Sequence, residues 1–379
     1  MRDDEFIATV AGVGTSKFGK HQGARFEDLA WTAIGPALSA AGIDPDQVGA
    51  VYVGSVFGPS GLAARISRAA GLINAPAIKV EAACASGTVA AHMAAEAVRS
   101  GRCEYALAIG IEMLSAVFDG AIVPEASDSD GAIGLPLPGL YALQAQRYMH
   151  LTGTSAEDIA LVAVKNRSNG ALNPIAHRSI AVTLQEVMDS RPIADPLTLL
   201  QCCPMSDGAA AVVFSRSSRN TGVGLRASEV VGGQGWPGAS DKPWGIDSVK
   251  RAMRSIQKTL GEAPVADLYE VHDAFTIGEL LTIEAMDLVA PGTAPAALRQ
   301  GRFHRDGDIP VNPSGGLLSR GHALGATGIA QIAECFLQLT GQAGARQIEG
   351  ARRAIVETLG GGASGLDGNC AAVMVLEQI

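Results

Sequence analysis

The chain has 379 residues, of which 47% are hydrophobic and 18% are charged, and its formal net charge is −9. This length favours two domains with a large core. The scattered acidic residues, the lack of a Lys/Arg block and the lack of an apolar run near the roughly 20 residues of a membrane helix argue against nucleic-acid and membrane partners.

Short apolar runs alternate with helical patterns in the first part of the chain. The sequence predicts a strand at FIATVAGVG, a helix over Phe26–Ala41 that Gly42 ends, and strands at VGAVYVGSVFG, APAIKVEA and CEYALAIGIE. A further helix is expected from Cys84 to about Ser100. This alternation is typical of an α/β fold with a mostly parallel sheet.

Residues 115–200 break this rhythm. Polar loops and short helices here are punctuated by six prolines, at positions 124, 136, 138, 174, 192 and 196. Such an insertion predicts a loop domain that faces the substrate. The α/β pattern returns at DGAAAVVFSRS.

The second half of the chain repeats the plan of the first. VADLYEVHDAF matches QVGAVYVGSVFG, the segment from Ile309 matches the one from Ile78, and ARRAIVETLGGG matches EYALAIGIE. We therefore expect a duplicated α/β unit. Its N-terminal half would span 1–225, with the loop domain at about 115–200, and its C-terminal half 226–379.

Cys84 stands where a predicted strand ends and a helix begins. Unpaired N–H groups and the positive end of the helix dipole favour a thiolate there, which predicts a lowered pKa. The small residues around it leave room for a substrate carbonyl. A free cysteine is also a common small core residue, so Cys84 alone does not establish catalysis.

Two histidines lie in comparable places. His322 lies in the glycine-rich turn SRGHALGATGIAQ, which lacks the Lys-Ser/Thr end of a P-loop, and His272 follows the strand in LYEVHDAFTIGE. Each suits a structural role when taken singly. Together with Cys84 they predict one site, because open α/β sheets place their sites at the carboxyl ends of strands and a thiolate nucleophile needs a base.

The stretch GGGASG at 360–365 matches the dinucleotide pattern GxGxxG. A strand follows it instead of a helix, and no acidic residue stands about 20 positions further on, so we reject a nucleotide site. A tight turn that offers backbone N–H groups to an oxyanion suits this stretch better.

These motifs resemble the thiolase superfamily across essentially the whole chain. EAACASG is similar to the block with the acyl-accepting cysteine, and GGLLSRGHALGATG to the GHPLGATG block, with alanine for proline. HDAF, KNRSNGALNP and DPLTLLQCCPMSDGAAAVV are similar to the sterol-carrier-protein type and archaeal branches. The resemblance implies a duplicated thiolase fold of five αβαβα layers with an inserted loop domain.

The resemblance also implies an acyl-CoA C-acyltransferase that works by thiolysis or Claisen condensation. Cys84 would attack the thioester and His322 would activate it. One oxyanion hole would consist of His322 Nε2 and a water held by His272, and the other of the N–H groups of Cys84 and Gly360. Cys203 falls where the family contacts the pantetheine arm.

One departure from the family concerns its second acid/base cysteine. Thr358 stands at the position before the last glycine turn, and Ala274 at the alternative position inside the histidine motif. Neither side chain can shuttle a proton. Cys335 and Cys370 lie outside both motifs, and a fold-back of Cys370 after the extended ASGLDGN segment is one alternative.

This departure keeps two other readings open. The fold would also serve a C-acyltransferase with a non-CoA acceptor, such as an activated aromatic ring, or a side-chain-CoA retro-aldolase that works with a small OB-fold, zinc-ribbon protein. A third reading is an acyl-CoA-binding scaffold without catalysis.

The remaining expectations concern partners and compartment. The resemblance implies acyl-CoA and CoA as partners, no further cofactor, and a homodimer or homotetramer in lipid metabolism. The six cysteines show no CxxC pair and no zinc spacing, which predicts reduced thiols and no metal site. MRDDEFIATV lacks a secretory pattern and Glu-Gln-Ile is no peroxisomal signal, so we expect a cytoplasmic protein.

Overall fold

The computed structural model describes residues 6–216, 222–236, 243–361 and 364–379. The first five residues of the acidic N-terminus and positions 362 and 363 of the GGGASG stretch therefore lie outside the described residues.

Strands and helices alternate in the first part of the chain, as the sequence predicts. The predicted helix Phe26–Ala41 is confirmed at both ends, and Gly42 closes it in the left-handed conformation at a φ of 64°. The elements are β1 (Ala8–Thr15), α1 (Phe26–Ala41), β2 (Val48–Gly54), α2 (Leu62–Ala69), β3 (Ala77–Val80), α3 (Ser86–Arg99) and β4 (Tyr105–Met113).

The predicted insertion follows β4 and is mostly helical. The Ser155 hydroxyl accepts from the Asp158 N–H, and the Asp158 carboxylate accepts from the Ser155 N–H, so a capping box starts its second long helix. The elements are α4 (Ser129–Ala132), α5 (Leu137–Thr152), α6 (Ala156–Gly170), α7 (Leu184–Met188), β5 (Pro192–Ala194) and β6 (Leu197–Thr198).

The remaining elements complete the large sheet and its covering helices. They are β7 (Asp207–Ser215), β8 (Val223–Gly232), α8 (Ile246–Leu260), β9 (Leu268–Glu270), α9 (Thr276–Ala285), α10 (Ala294–Arg299), α11 (Gly316–Arg320), α12 (Leu324–Leu339), β10 (Arg353–Gly360) and β11 (Cys370–Gln378).

Nine strands pair in the order β3-β2-β4-β7-β1-β8-β11-β10-β9. Only β2–β3, β2–β4 and β9–β10 are parallel, and the other pairings are antiparallel. The prediction of a mostly parallel sheet is therefore wrong for the described strands. β10 and β11, for example, are joined by 361–369, and such a connection is shorter than the crossover of about a dozen residues that a parallel pair needs.

The strand order confirms the duplication. The run β2-β4-β7-β1 has one parallel pairing followed by two antiparallel ones, and β9-β10-β11-β8 repeats this sequence of pairings. The predicted boundary between the halves, 225/226, lies within β8. β8 pairs with β1 of the first half and with β11 of the second.

The helices form three layers: one lies between the strands of the two halves, and one covers the outer face of each half. α3 and α12 share one apolar core with inward residues of both halves' strands, such as Ala106 and Val356. α1 and α2 cover the outer face of the first half, and α8 and α9 cover that of the second. This arrangement is the five-layer αβαβα architecture. Among the described residues, no helix has the length and apolarity to cross a membrane.

Candidate active site

Cys84 lies in the short turn that joins β3 to α3, the strand-to-helix junction that the sequence predicts. Ala83 has a φ of 49°, in the left-handed region that residues with a side chain rarely adopt. The Ser86 hydroxyl accepts from the Ala82 N–H at 2.9 Å and donates to the Ala83 carbonyl at 2.6 Å. The turn that presents the sulfur is therefore held by its own hydrogen bonds.

The predicted lowering of the Cys84 pKa is wrong. Burial raises the pKa of the thiol to about 12, because the charged form loses its water. A hydrogen bond from the Gly361 N–H to the sulfur acts in the opposite direction but is the smaller effect, and the buried Glu112 adds to the rise. Cys84 is therefore a neutral thiol at rest and needs a base.

His322 provides a base at hydrogen-bond distance. It lies between α11 and α12, and its Nε2 is 3.4 Å from the Cys84 sulfur. Its Nδ1 is 2.8 Å from the Thr327 hydroxyl, which itself donates to the Ala323 carbonyl. The Thr327 oxygen then accepts from Nδ1–H, so Nε2 carries the lone pair that faces the thiol. Burial lowers the pKa of His322 well below its usual range, which keeps the ring neutral.

His272 lies just beyond the end of β9 and completes the group. Its ring is T-shaped to that of His322, with centroids 5.2 Å apart. Its backbone N–H donates to Glu357 on β10 at 3.0 Å, whereas its Nε2 has no partner among the described residues. Burial lowers the pKa of His272 to about 4, so this ring is also neutral.

The structure thus brings the three predicted side chains together. One donor atom each of Cys84, His272 and His322 lies within 4.8 Å of the other two. A sulfur and two imidazole nitrogens are also a donor set for Zn²⁺. The contact between a neutral thiol and a neutral imidazole suits proton transfer on attack.

Two glycines at the end of β10 lie against the nucleophile. A Cβ at Gly360 would collide with the Ala82 carbonyl, so only glycine lets β10 approach the Cys84 turn this closely. Gly361, which the sequence interpretation did not select, supplies the N–H that bonds the sulfur. The run of three glycines after a buried strand is the signal that points to it.

A buried polar network holds the His272 segment. Asp273 accepts the N–H of Leu317 at the start of α11 at 2.7 Å and the Asn166 amide at 2.7 Å. Asn166 also donates to Glu279, and Lys165 pairs with that carboxylate at 3.0 Å. The motif KNRSNGALNP served only as a family marker in the sequence. Its structural role is to position the histidine segment from the loop domain.

Glu112 performs a similar task in the first half. This buried carboxylate accepts from the Ser55 hydroxyl and from the N–H groups of Val56 and Phe57 after β2. It also accepts the Gly325 N–H at the start of α12, at 3.2 Å. Sequence reasoning missed Glu112, because an acidic residue at the end of a strand is no distinctive pattern.

Neither position at which the family carries its second acid/base cysteine offers a free proton donor in this chain. The Thr358 hydroxyl is 2.8 Å from that of Thr88 and donates to Gln331 at 3.0 Å, and Ala274 is buried. Cys335 is fully buried within α12. The structure does not bring it to the site.

Two other cysteines lie near the nucleophile. Cys370 begins β11 opposite Gly360, and its sulfur lies 4.0 Å from the Ala82 carbonyl. Its charge adds to the rise of the Cys84 pKa, so the expected approach of Cys370 brings it to the Cys84 turn. Cys203 donates its backbone N–H to the Ala274 carbonyl at 2.9 Å. Cys203 therefore borders the His272 segment.

Two cavities adjoin the group. One, of about 20 Å³, borders His272 and is lined mostly by apolar side chains together with Tyr141, Gln144 and Trp244. The other, of about 360 Å³, is polar and reaches Phe118 and Met205, which pack against the apolar cluster that contains Cys84. Its exposed residues, such as Lys20 and Asp119, place its mouth at the surface.

Comparisons with known proteins identify the family of this chain. The family description "Thiolase, N-terminal domain" matches residues 8–218, and "Thiolase C-terminal domain-like" matches residues 246–377. An acetyl-CoA acetyltransferase of Methanothermobacter thermautotrophicus is 38% identical, and the alignment covers 100% of both chains. The benzoylsuccinyl-CoA thiolase subunit BbsB of Thauera aromatica is 36% identical over 93% of this chain and 94% of its own.

A solved structure supports the fold. The Ltp2-ChsH2(DUF35) aldolase superposes with a TM-score of 0.83 at 24% identity, covering 99% of this chain and 98% of that one. The two family descriptions and the relatives that align over nearly the whole chain together establish its family. The chain is a member of the thiolase family and an acyltransferase of that family.

Proposed function

We propose that the chain transfers acyl groups between coenzyme A thioesters and carbon through an acyl-Cys84 intermediate. The observation that carries this proposal is the 3.4 Å contact between the Cys84 sulfur and the unprotonated Nε2 of His322. The full-length match to an acetyl-CoA acetyltransferase supports the reaction class. The substrate itself is the coenzyme A thioester, and the reaction needs no further cofactor or metal.

In the first half-reaction, His322 takes the thiol proton as the Cys84 sulfur attacks the carbonyl carbon. The high pKa of the buried thiol makes this coupling necessary, because a free thiolate is scarce at neutral pH. Nε2 then carries a proton and points into the site. The same nitrogen that served as a base thereby becomes a donor to an oxyanion.

We expect two oxyanion holes in this arrangement. One would use His322 Nε2–H and a water on His272, whose Nε2 has no protein partner among the described residues and which borders a cavity the size of about one water. The other would use the N–H groups of Cys84 and Gly360 at the junction of α3 and β10. Cys203, beside Ala274, would contact the pantetheine arm near the thioester.

A second candidate is an aldolase or a C-acyltransferase with a non-CoA acceptor, assisted by a small OB-fold protein. Its support is specific: Ala274 and Thr358 lack the family's second thiol. The solved aldolase carries two protein names, Ltp2 and ChsH2(DUF35), and BbsB is named as a subunit. Co-purification of a second small protein with this chain from its source would favour this candidate.

We further propose a homodimer built on the free edge of β3. β3 is the terminal strand of the sheet, and Ile78 on it is 42% exposed, which makes the edge a template for pairing. The six unpaired cysteines fit the reducing cytoplasm. A role in lipid metabolism would follow from an acyl-CoA substrate. Halves bounded near residue 225 would each contribute to the one site.

The deciding experiment is intact mass spectrometry after incubation with short and long acyl-CoAs, with Cys84→Ala as the variant and Cys335→Ala as the matched control. An acyl adduct in the native chain and in Cys335→Ala, but not in Cys84→Ala, supports the intermediate. Unchanged acyl transfer in Cys84→Ala would rule it out.

A further inference from the structure

Carbon–carbon bond chemistry needs a second proton carrier besides His322. Cleavage leaves an electron pair on the α-carbon of the departing thioester, and an acid must protonate it. Ala274 has no ionisable group, and the hydroxyl of Thr358 is held between Thr88 and Gln331. Two other thiols lie near the nucleophile: Cys370 lies at the Ala82 carbonyl, whereas Cys203 borders the His272 segment.

The segment from Cys203 to Met205 lies between the two histidine turns. Cys203 donates its N–H to the Ala274 carbonyl at 2.9 Å on the His272 side. On the other side, the His322 N–H donates to the Pro204 carbonyl, and Met205 forms a parallel bridge with His322. The segment thus spans the site from one histidine to the other.

The register places the Cys203 side chain on the active-site face. Cys202 bridges Phe275 in antiparallel fashion, so Cys203 stands opposite Ala274. Side chains in opposite positions point to the same face, with Cβ atoms about 4.5–5.5 Å apart. A thiol on 203 consequently enters the space that a thiol on 274 would occupy.

Met205 confirms this direction. It lies two residues beyond Cys203, and the chain is bridged at Cys202 and again at Met205, so the alternation of bridged chain puts both side chains on the same face. Met205 packs against the cluster of Cys84, Leu114 and Leu324. Cys202 points the other way, is buried, and has its sulfur 3.4 Å from the Thr198 carbonyl, whereas Cys203 is only half-buried.

The surroundings of Cys203 keep it protonated at rest. Burial raises the pKa of Cys203 well above its usual range, and the charges of Cys202, Asp273 and Cys84 add to the rise. The nearby His272 Nε2 is buried without a protein partner among the described residues. The space between the Cys203 thiol and the His272 ring therefore offers polar atoms to a reacting group of the substrate.

Given the proposed acyltransferase function, we propose that Cys203 is its second acid/base residue. In cleavage, Cys84 attacks the 3-keto carbon, the carbon–carbon bond breaks, and the electron pair left on the α-carbon takes the Cys203 S–H proton. The Cys203 thiolate then takes the proton of the incoming CoA thiol. The CoA thiolate attacks acyl-Cys84, and the released Cys84 recovers its proton from His322.

Tyr141 is the competing group in the same space. This side chain of α5 stacks on Phe275 with centroids 4.3 Å apart, and it lines the cavity beside His272. Burial raises the pKa of Tyr141 well above its usual range, and the charges of Cys84 and Cys203 add to the rise. A hydroxyl is a weaker acid than a thiol, so we assign the proton transfer to Cys203.

The test compares Cys203→Ala and Cys203→Ser with Cys202→Ala and Tyr141→Phe. Three quantities are measured: the acyl adduct on Cys84, thiolysis of acetoacetyl-CoA, and exchange of the α-protons of acetyl-CoA in D2O. Both Cys203 variants should form the adduct and lose thiolysis and exchange by about 10²- to 10⁴-fold. Cys202→Ala should retain all three, and Cys203→Ser separates loss of the acid from loss of packing.

Each other outcome overturns the assignment. Normal exchange in both Cys203 variants, or loss confined to Tyr141→Phe, moves the proton transfer elsewhere. Loss of the adduct together with a lowered melting temperature in the Cys203 variants means a structural role. Absence of any adduct in the native chain overturns the proposed function, and this assignment with it, whereas a native adduct isolates the fate of Cys203 alone.

Discussion

The two halves of the chain use the same strand-turn-helix plan for different tasks. After β2 of the first half, the loop from Ser55 is bound to Glu112, whose carboxylate accepts from four groups. After β9 of the second half, the ring of His272 keeps Nε2 without a partner among the described residues. The comparison shows two uses of a repeated strand end. The Glu112 carboxylate, whose hydrogen bonds are satisfied, stabilises the fold, whereas the His272 ring, whose Nε2 has no partner among the described residues, is available for catalysis.

The helices α3 and α12 join the two tasks. A Cβ on Gly87 of α3 would collide with the Gly325 carbonyl of α12, and one on Gly328 would collide with Thr88. Glycine at these positions lets the two helices touch. Cys84 of one half and His322 of the other lie directly before the starts of these helices, so we expect this contact to set the distance between nucleophile and base.

The largest expected effect is on formation of the acyl adduct, and it distinguishes the nucleophile from the base. Cys84→Ala removes the acyl adduct entirely, whereas His322→Ala should slow adduct formation by about 10²- to 10⁴-fold, because the thiol then loses its proton acceptor. Time-resolved intact mass spectrometry measures both. The exposed His150→Ala serves as the control, and a His322→Ala rate equal to it would remove His322 from the mechanism.

The next effect concerns the scaffold of the second half. Lys165→Met leaves the buried Glu279 without its cation and should lower the free energy of unfolding by about 3–5 kcal/mol. Urea denaturation measures it, and the exposed Lys258→Met should stay within about 0.5 kcal/mol of the native chain. Equal stability of the two variants would show that the network carries no net stabilisation.

A smaller effect tests the contact between the halves. Gly87→Ala forces α3 and α12 apart and should cost about 1–3 kcal/mol of unfolding free energy, with a slower acylation rate. Gly35 also lies inside a helix, but its Cβ would meet only ordinary contacts with Trp31, so Gly35→Ala should change stability by no more than about 1 kcal/mol. A Gly87→Ala enzyme that acylates at the native rate would show that the contact does not position the pair.

The smallest effect concerns pH. Burial lowers the pKa of His272 to about 4 and that of His322 well below its usual range, so both rings remain neutral below the usual histidine pKa of about 6.5. We expect kcat/KM at about pH 5.5 to stay within roughly twofold of its neutral value, whereas an ordinary histidine would cause a loss of about tenfold. An acid limb centred near pH 6.5 would contradict this reading, provided that the fold is intact at that pH.

Local patterns were enough to predict much of this molecule. The glycine after Ala41 predicted the end of the helix Phe26–Ala41, because a left-handed C-terminal turn favours glycine, and the structure confirms this end. The duplication was visible because the same apolar runs recur. The convergence of Cys84, His272 and His322 followed from their places at strand and helix ends.

Other features depend on what the chain packs against. The pKa of Cys84 could not be read from its position at a helix start, because the loss of water on burial outweighs the nearby N–H groups. The antiparallel return of β11 depends on the direction in which the chain leaves a glycine turn. The network of Lys165 with Glu279 joins residues distant in sequence, and no spacing rule connects them.

The glycine contact between α3 and α12 bears on how such a chain can change. A gene duplication yields two similar halves, but once each supplies one member of a reacting pair across a contact without spare volume, neither half can be exchanged or released alone. Variation in specificity is then expected in the inserted segment between β4 and β7, whose Tyr141 lines the cavity beside His272. The inserted helices, apart from Lys165 and Asn166 that hold the histidine segment, are therefore the part of the chain to vary when a new substrate is sought.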